Sequence, residues 1–146
     1  METTPRYFTG EFAHALDGAN RVVIPAKWRT GESEELFLFA TEGRITALTR
    51  AEFDKLLQDI EKDVALSRRE KAERGIHLSG QFQQVTCDRQ GRITLPEKTA
   101  CGAKVKGDVV FVGAGYRFTI WSSGAWRAWH AEHEAGVQGV ARDLGF

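Results

Sequence analysis

The nine residues DGANRVVIP at 17–25 return as DRQGRITLP at 88–96. Asp17 matches Asp88, Arg21 matches Arg92 and Pro25 matches Pro96, all at one offset (88 − 17 = 92 − 21 = 96 − 25 = 71). The repeat fills roughly half of a 146-residue chain. It therefore predicts two units of about 50 residues that share a core, because units so small are marginal alone.

The correspondence runs past the turn. AKWRTG after Pro25 and EKTACG after Pro96 each read as one or two helical turns, opened by proline and stopped by glycine. ELFLFATEGRITAL and VVFVGAGYRFTIW each read as two β runs around a glycine turn. A helix follows each pair. Thr49 with Glu52 has the spacing of a capping box, and Phe53, Leu56, Leu57, Ile60 and Val64 share one face. Ser122 or Ser123 opens the matching helix, which carries Trp126 and Trp129.

Each unit is thus strand, turn, strand, short helix, hairpin, helix. The expected organisation is a first unit over 7–66, a connecting helix over 67–80 and a second unit over 81–135. Ser67 and Glu70 form a second possible capping box. Residues 136–146 hold three glycines and few large apolar side chains, and are expected to be a loosely ordered tail.

In D-x-x-x-R the carboxylate can accept from backbone amides two or three residues on and so fix a tight turn. Asn20 or Gly91 supplies the residue able to take a left-handed backbone angle. The arginine then leaves the start of the next strand as a planar group of donors, suited to phosphate oxygens or the O6/N7 edge of guanine. The plainer alternative is an Asp–Arg pair that only pins the turn. One copy would favour that alternative; two copies make the readings about even.

Charge placement adds weight to the functional reading. Twenty basic and twenty acidic residues cancel overall. Residues 14–31 nevertheless hold Arg21, Lys27 and Arg29 against Asp17, and residues 85–107 hold Arg89, Arg92, Lys98, Lys104 and Lys106 against Asp88 and Glu97. Residues 32–63 carry nine acids against four bases. Basic turns beside an acidic hairpin and helix fit a nucleic-acid face on the turns.

Other classes find little support. No nucleophile elbow, phosphate loop or cofactor fingerprint occurs, so neither an enzyme, a cofactor nor a small-molecule substrate is expected. His130 and His133 lie three apart on one helix with Glu134 beside them and could seat a metal, but no further ligand is indicated and no metal site is expected. Cys87 and Cys101 are too few for a disulfide framework and are both expected to be buried. No stretch approaches a membrane span, and METTPRYFTG lacks the apolar run of a signal peptide. A soluble, cytoplasmic chain is the expectation.

GEFAHALDGANRVVIPAKWR and VTCDRQGRITLP…VVFVGAGYRFTIW resemble the two halves of the MraZ family, bacterial transcriptional regulators of the swapped-hairpin AbrB superfamily. The resemblance covers about residues 7–130. It implies an α+β fold of two pseudo-symmetric AbrB-like swapped-hairpin β units with short helices, fused in one chain. It also implies a homo-oligomeric ring, commonly an octamer, that binds double-stranded DNA at tandem direct repeats. The implied target is the promoter of the division and cell-wall gene cluster, the regulator's own gene included, usually with repression and in association with the nucleoid. Carried over by position, Asp17, Arg21, Asp88 and Arg92 are the motif residues. Lys27, Arg29 and Arg89 join them as candidate DNA contacts by their place beside the turns. The first turn departs from the family in reading DGAN, where a lysine or glycine is common before the arginine.

The competing reading is an AbrB-like antitoxin or protein-binding assembly module whose turns are structural. Such antitoxins usually carry one unit and a long disordered tail, whereas this chain has two units and a short one. The four tryptophans are read as core or subunit contacts. Phe37, Phe39, Trp121 and Trp126 exceed the aromatic surface two small units need, which predicts a closed oligomer. Arg21 is ranked above Arg92 for binding, because Lys27 and Arg29 follow the first turn closely.

Overall fold

Strand β1 (Glu11–Ala15) opens the first unit, yet its partner is β7 (Asp108–Gly113) of the second, with Phe12 opposite Phe111. The exchange is reciprocal. β5 (Gln83–Cys87) opens the second unit and pairs with β3 (Glu34–Thr41) of the first. The computed structural model describes residues 6–146. Residues 1–5, which carry half of the reading of the N-terminus, lie outside the described residues.

With β4 (Arg44–Thr49) and β8 (Phe118–Ser122) at its centre, the antiparallel sheet runs β1-β7-β8-β4-β3-β5. A separate two-stranded ribbon joins β2 (Arg21–Val23) to β6 (Arg92–Thr94). Exchanging β1 with β5, β2 with β6, β3 with β7 and β4 with β8 reverses each order onto itself. The two units are therefore related by a pseudo-two-fold axis between β4 and β8 and between β2 and β6. The fold is α+β, two fused units with exchanged first strands.

The ribbon is held by its inner face. Val22 and Ile93 face each other and are 3% and 2% exposed, and Ile24 and Leu95 just beyond them are buried too. They meet a core of Leu36, Leu38, Ile45, Phe111, Phe118 and Ile120. Trp28 sits within an aromatic group, with ring centroids 5.5 Å from Phe8 and 5.2 Å from Phe118. Its indole Nε1 donates to the Thr9 carbonyl at 3.1 Å. Each such large apolar side chain stabilises the fold by roughly 1.5–3 kcal/mol on burial, so neither unit keeps its core without the other's strands.

The helices follow the sequence with informative departures. The first two are α1 (Arg50–Lys62) and α2 (Arg68–Gln81). After Pro25 the chain makes only a 3₁₀ turn, Ala26–Trp28, whereas after Pro96 it makes the short helix α3 (Glu97–Gly102). The Ser67–Glu70 box on α2 is complete, each side chain taking the other's backbone amide at 3.1 Å. On α1 only half of the expected box forms. Thr49 Oγ1 accepts from the Glu52 amide at 3.3 Å, but the Glu52 carboxylate turns to Arg117 of the other unit.

The last helix, α4 (Ser123–Asp143), runs into 136–146, where the sequence predicts a loosely ordered tail. Ser122 caps it, and it runs on through Gly136 and Gly139 because the alanine, glutamate, glutamine and arginine residues around them favour helix. Cys87 is buried as expected, and burial pushes its thiol up to about 11. Cys101 is exposed, on the outer side of α3, contrary to the expectation for it.

Candidate nucleic-acid interface

Both D-x-x-x-R turns have one geometry. Asp17 Oδ1 accepts from the backbone amides of Ala19 and Arg21, each at 2.9 Å, while Oδ2 accepts from Arg21 Nε at 2.7 Å. Asp88 repeats this with Gln90 and Arg92 at 2.9 Å and with Arg92 Nε at 2.7 Å. Asn20 and Gly91 take left-handed angles, φ 59° and 83°, at the same place in each turn. These hydrogen bonds to the charged form hold both carboxyls below the ordinary carboxylate range, the arginine's own backbone amide contributing most in each.

The turns are also locked to each other. The Gly91 carbonyl accepts from the Ile24 amide at 2.8 Å, and the Asn20 carbonyl accepts from the Leu95 amide at 2.8 Å. Each left-handed residue thus anchors the other unit's strand. Neighbouring residues of a strand point to opposite faces. With Val22 and Ile93 inward, Arg21, Val23, Arg92 and Thr94 all stand on the outer face of the ribbon.

Arg21 and Arg92 are 65% and 62% exposed. The aspartate takes only Nε, which leaves both Nη groups of each guanidinium to other partners. The two ends differ. Arg92 Nη2 donates to Gln90 Oε1 at 3.0 Å, whereas among the described residues nothing holds either Nη of Arg21. Ala19 stands where Gln90 does.

The remaining candidates separate. Arg89 is exposed at the apex of the second turn, and Lys27 is exposed on the 3₁₀ turn. Arg29 is exposed as well, but its Nε donates to the Ile24 carbonyl at 2.9 Å and its stem covers Gly91. A Cβ on Gly91 would stand 2.7–2.9 Å from that stem, so the second turn is closed by a side chain from the first unit. His14 is held below its ordinary value by burial and then by the charge of Arg29, which leaves it neutral near pH 7. Lys104, counted among the basic residues, is tied to Glu42 at 2.8 Å.

His133 lies flat on Trp129, ring centroids 4.1 Å apart, with its Nδ1 2.8 Å from the Trp129 carbonyl. Trp28 and Trp121 are buried, and Trp126 and Trp129 are half-buried beside Trp121. No helix among the described residues is long and apolar enough to cross a membrane. Two residues escaped the sequence reading. Gln90 was signalled only by its mismatch with Ala19 inside an otherwise matching repeat, and the closing role of Arg29 left no local signal.

Exchanged strands, two fused units and two arginine turns on one ribbon define an internally duplicated swapped-hairpin protein. The profile of a family described as "MraZ protein, putative antitoxin-like" matches the chain twice, over residues 7–79 and 78–145. The chain belongs to the MraZ family. It is 32% identical over 138 residues to the transcriptional regulator MraZ of Micrococcus luteus, covering 94% of this chain and 96% of that protein. The protein of the same name from Natranaerobius thermophilus is 31% identical over 140 residues, and that from Leifsonia xyli subsp. xyli 32% over 140, each with the same coverage. These relatives are named as transcriptional regulators and not as enzymes.

Proposed function

We propose that this chain is a DNA-binding transcriptional regulator whose β2–β6 ribbon meets double-stranded DNA, with Arg21 and Arg92 as the principal contacts. The observation that carries the reading is the placement of two exposed guanidinium groups on one outward face. Each is aimed by an aspartate that takes only Nε. The major groove of B-DNA admits a two-stranded ribbon, and its guanine edges offer the acceptors an arginine fork requires. Lys27 and Arg89 are the accessory phosphate contacts in this reading. Arg29 is the prop of the second turn.

A neutral chain with few phosphate contacts binds DNA weakly on its own. The reading therefore includes a closed ring of copies, an octamer, that engages tandem direct repeats. Linked contacts of that kind can raise avidity by roughly 10²–10⁴. The targets are the repeats upstream of the division and cell-wall gene cluster, the chain's own gene included, and the outcome is repression at the nucleoid.

The test is fluorescence anisotropy with DNA from upstream of the chain's own gene, beside a scrambled duplex of equal length. Native mass is measured on the same sample. Tight binding to the first duplex alone, by an oligomer of defined mass, is expected. Equal binding to both, or none, overturns the reading.

A further inference from the structure

We infer that the two turns of one chain are unequal readers of DNA, and that Gln90 makes the second turn the one that sets the chain's direction on its element. The inference rests on the proposed contact between ribbon and DNA and adds to it a specificity residue.

The backbones of the two turns superpose in their hydrogen bonding. The residue two places after the aspartate donates its amide to Oδ1 at 2.9 Å in each. Ala19 and Gln90 therefore leave the chain from equivalent positions, and only one has a side chain that reaches the arginine. Gln90 Oε1 accepts from Arg92 Nη2 at 3.0 Å. Because a guanidinium has no acceptor, the amide oxygen is the atom that faces it, and the amide nitrogen keeps two N–H groups that no partner takes among the described residues.

Arg92 is thus fixed at two points, Nε by Asp88 and Nη2 by Gln90. Arg21 is fixed at one. The second turn presents a stiff edge made only of donors, the guanidinium continued by the amide. Guanine offers the matching N7 and O6 acceptors in the major groove. Arg21 can still swing about its distal bonds and suits phosphate or several base edges. Arg89 beside Gln90, where the first turn has Gly18, adds a further positive charge to the second side.

The consequence concerns symmetry. A ribbon with equal turns about a two-fold axis would read the two halves of a palindrome alike and bind in either direction. Unequal turns make one direction better than the other. A protein built so recognises a non-palindromic element, and copies facing one way need elements repeated head to tail. The pseudo-symmetry of the backbone and the asymmetry of three apex residues thus serve separate ends: the first builds the ribbon, the second orients it.

The experiment is a base-pair substitution scan of the bound element with full-length protein, comparing wild type, Gln90→Ala and Ala19→Gln. Gln90→Ala is expected to relax discrimination about 5-fold or more, at base pairs of one half only, with oligomeric mass and melting temperature unchanged. Ala19→Gln is expected to sharpen the other half and to improve binding to a palindromic version of the element. The inference is overturned if wild type discriminates the element and neither variant changes the profile, or if Gln90→Ala changes both halves equally. Failure of wild type to prefer the element over scrambled DNA would instead sink the DNA reading on which the inference stands.

Discussion

Arg21 and Arg92 lie diagonally across the β2–β6 ribbon, because Arg21 is paired with Thr94 and Arg92 with Val23. Neither arginine reaches the other's aspartate; each is bound by the aspartate four residues before it. The ribbon is therefore a platform whose inner residues build the core and whose outer residues are left facing solvent. An ion pair this exposed is screened by solvent and contributes little to stability. The carboxylate matters more, since it also takes two backbone amides.

That division of labour gives the first prediction. Arg21→Ala is expected to weaken operator binding strongly while melting temperature and oligomeric mass stay nearly fixed. Removing a surface side chain changes stability by about 0.5 kcal/mol or less, whereas losing a charge-assisted hydrogen bond to DNA costs about 1.5–3 kcal/mol per site. Asp17→Ala should lower both binding and stability, because the Ala19 and Arg21 amides lose their acceptor. Thermal melts run beside anisotropy titrations check both. An Arg21→Ala protein that melts early while its folded fraction binds normally would make the arginine a structural pin.

Much of this architecture was legible in the chain. The offset of 71 announced the duplication, and Asn20 and Gly91 marked where each turn bends left. Those signals are local, set by residue type and short spacing. The exchange of β1 and β5 between units came only with the family resemblance, since strand alternation says which face is buried but not which strand lies alongside. Three features that the sequence did not carry have the same origin. Glu52 abandoned its cap for Arg117, 65 residues away. Arg29 also covers Gly91 of the other unit, a contact that no local spacing carries. Cys101 fell on the outer side of a helix too short to reveal its face.

The turns also predict a dependence on acid. Asp17 and Asp88 have folded pKa values below their ordinary 3.8. A depressed carboxylate contributes stability that is fully present above the unfolded value and is lost as pH falls through the folded one. The protein should therefore lose stability below about pH 4, where the unfolded chain takes up protons first. Urea midpoints measured from pH 6 to pH 2.5 test this. The variant Asp17→Asn/Asp88→Asn should show a flatter curve; an unchanged slope would place the acid sensitivity elsewhere.

Binding should behave as a polyelectrolyte reaction despite the chain's zero formal charge. Each phosphate contact displaces condensed counterions, so affinity falls linearly on a log–log plot against salt. Replacing Lys27 or Arg89 with alanine is expected to lower that slope by about one for each phosphate left without its cation, with base preference retained. Titrations between 50 and 300 mM salt, roughly the range in which such slopes are resolved, decide it. A flat response in wild type would mean that the ribbon does not meet phosphate.

The last prediction concerns what joins one copy to the next. Phe37, Phe39, Trp121 and Trp126 suggest an oligomer by sequence, but they are occupied within the chain: Phe37 stacks on Phe53 at 4.3 Å, Phe39 meets Phe82, and Trp121 is buried against Trp126. A row of uncovered apolar side chains lies instead on the end of α4, where the sequence predicts a loose tail. Val137, Val140 and Leu144 are 59%, 58% and 64% exposed there and share one side with Trp129 and His133. Exposed apolar stripes of this kind mark contact surfaces. We therefore predict that Val140→Glu lowers the native mass while α4 stays helical by circular dichroism, since glutamate is a good helix former. Binding to a single DNA element should then survive better than binding to tandem elements, because only the latter depends on linked copies. If Val140→Glu leaves both the mass and the tandem advantage intact, the copies join through another surface and α4 is free for a different partner.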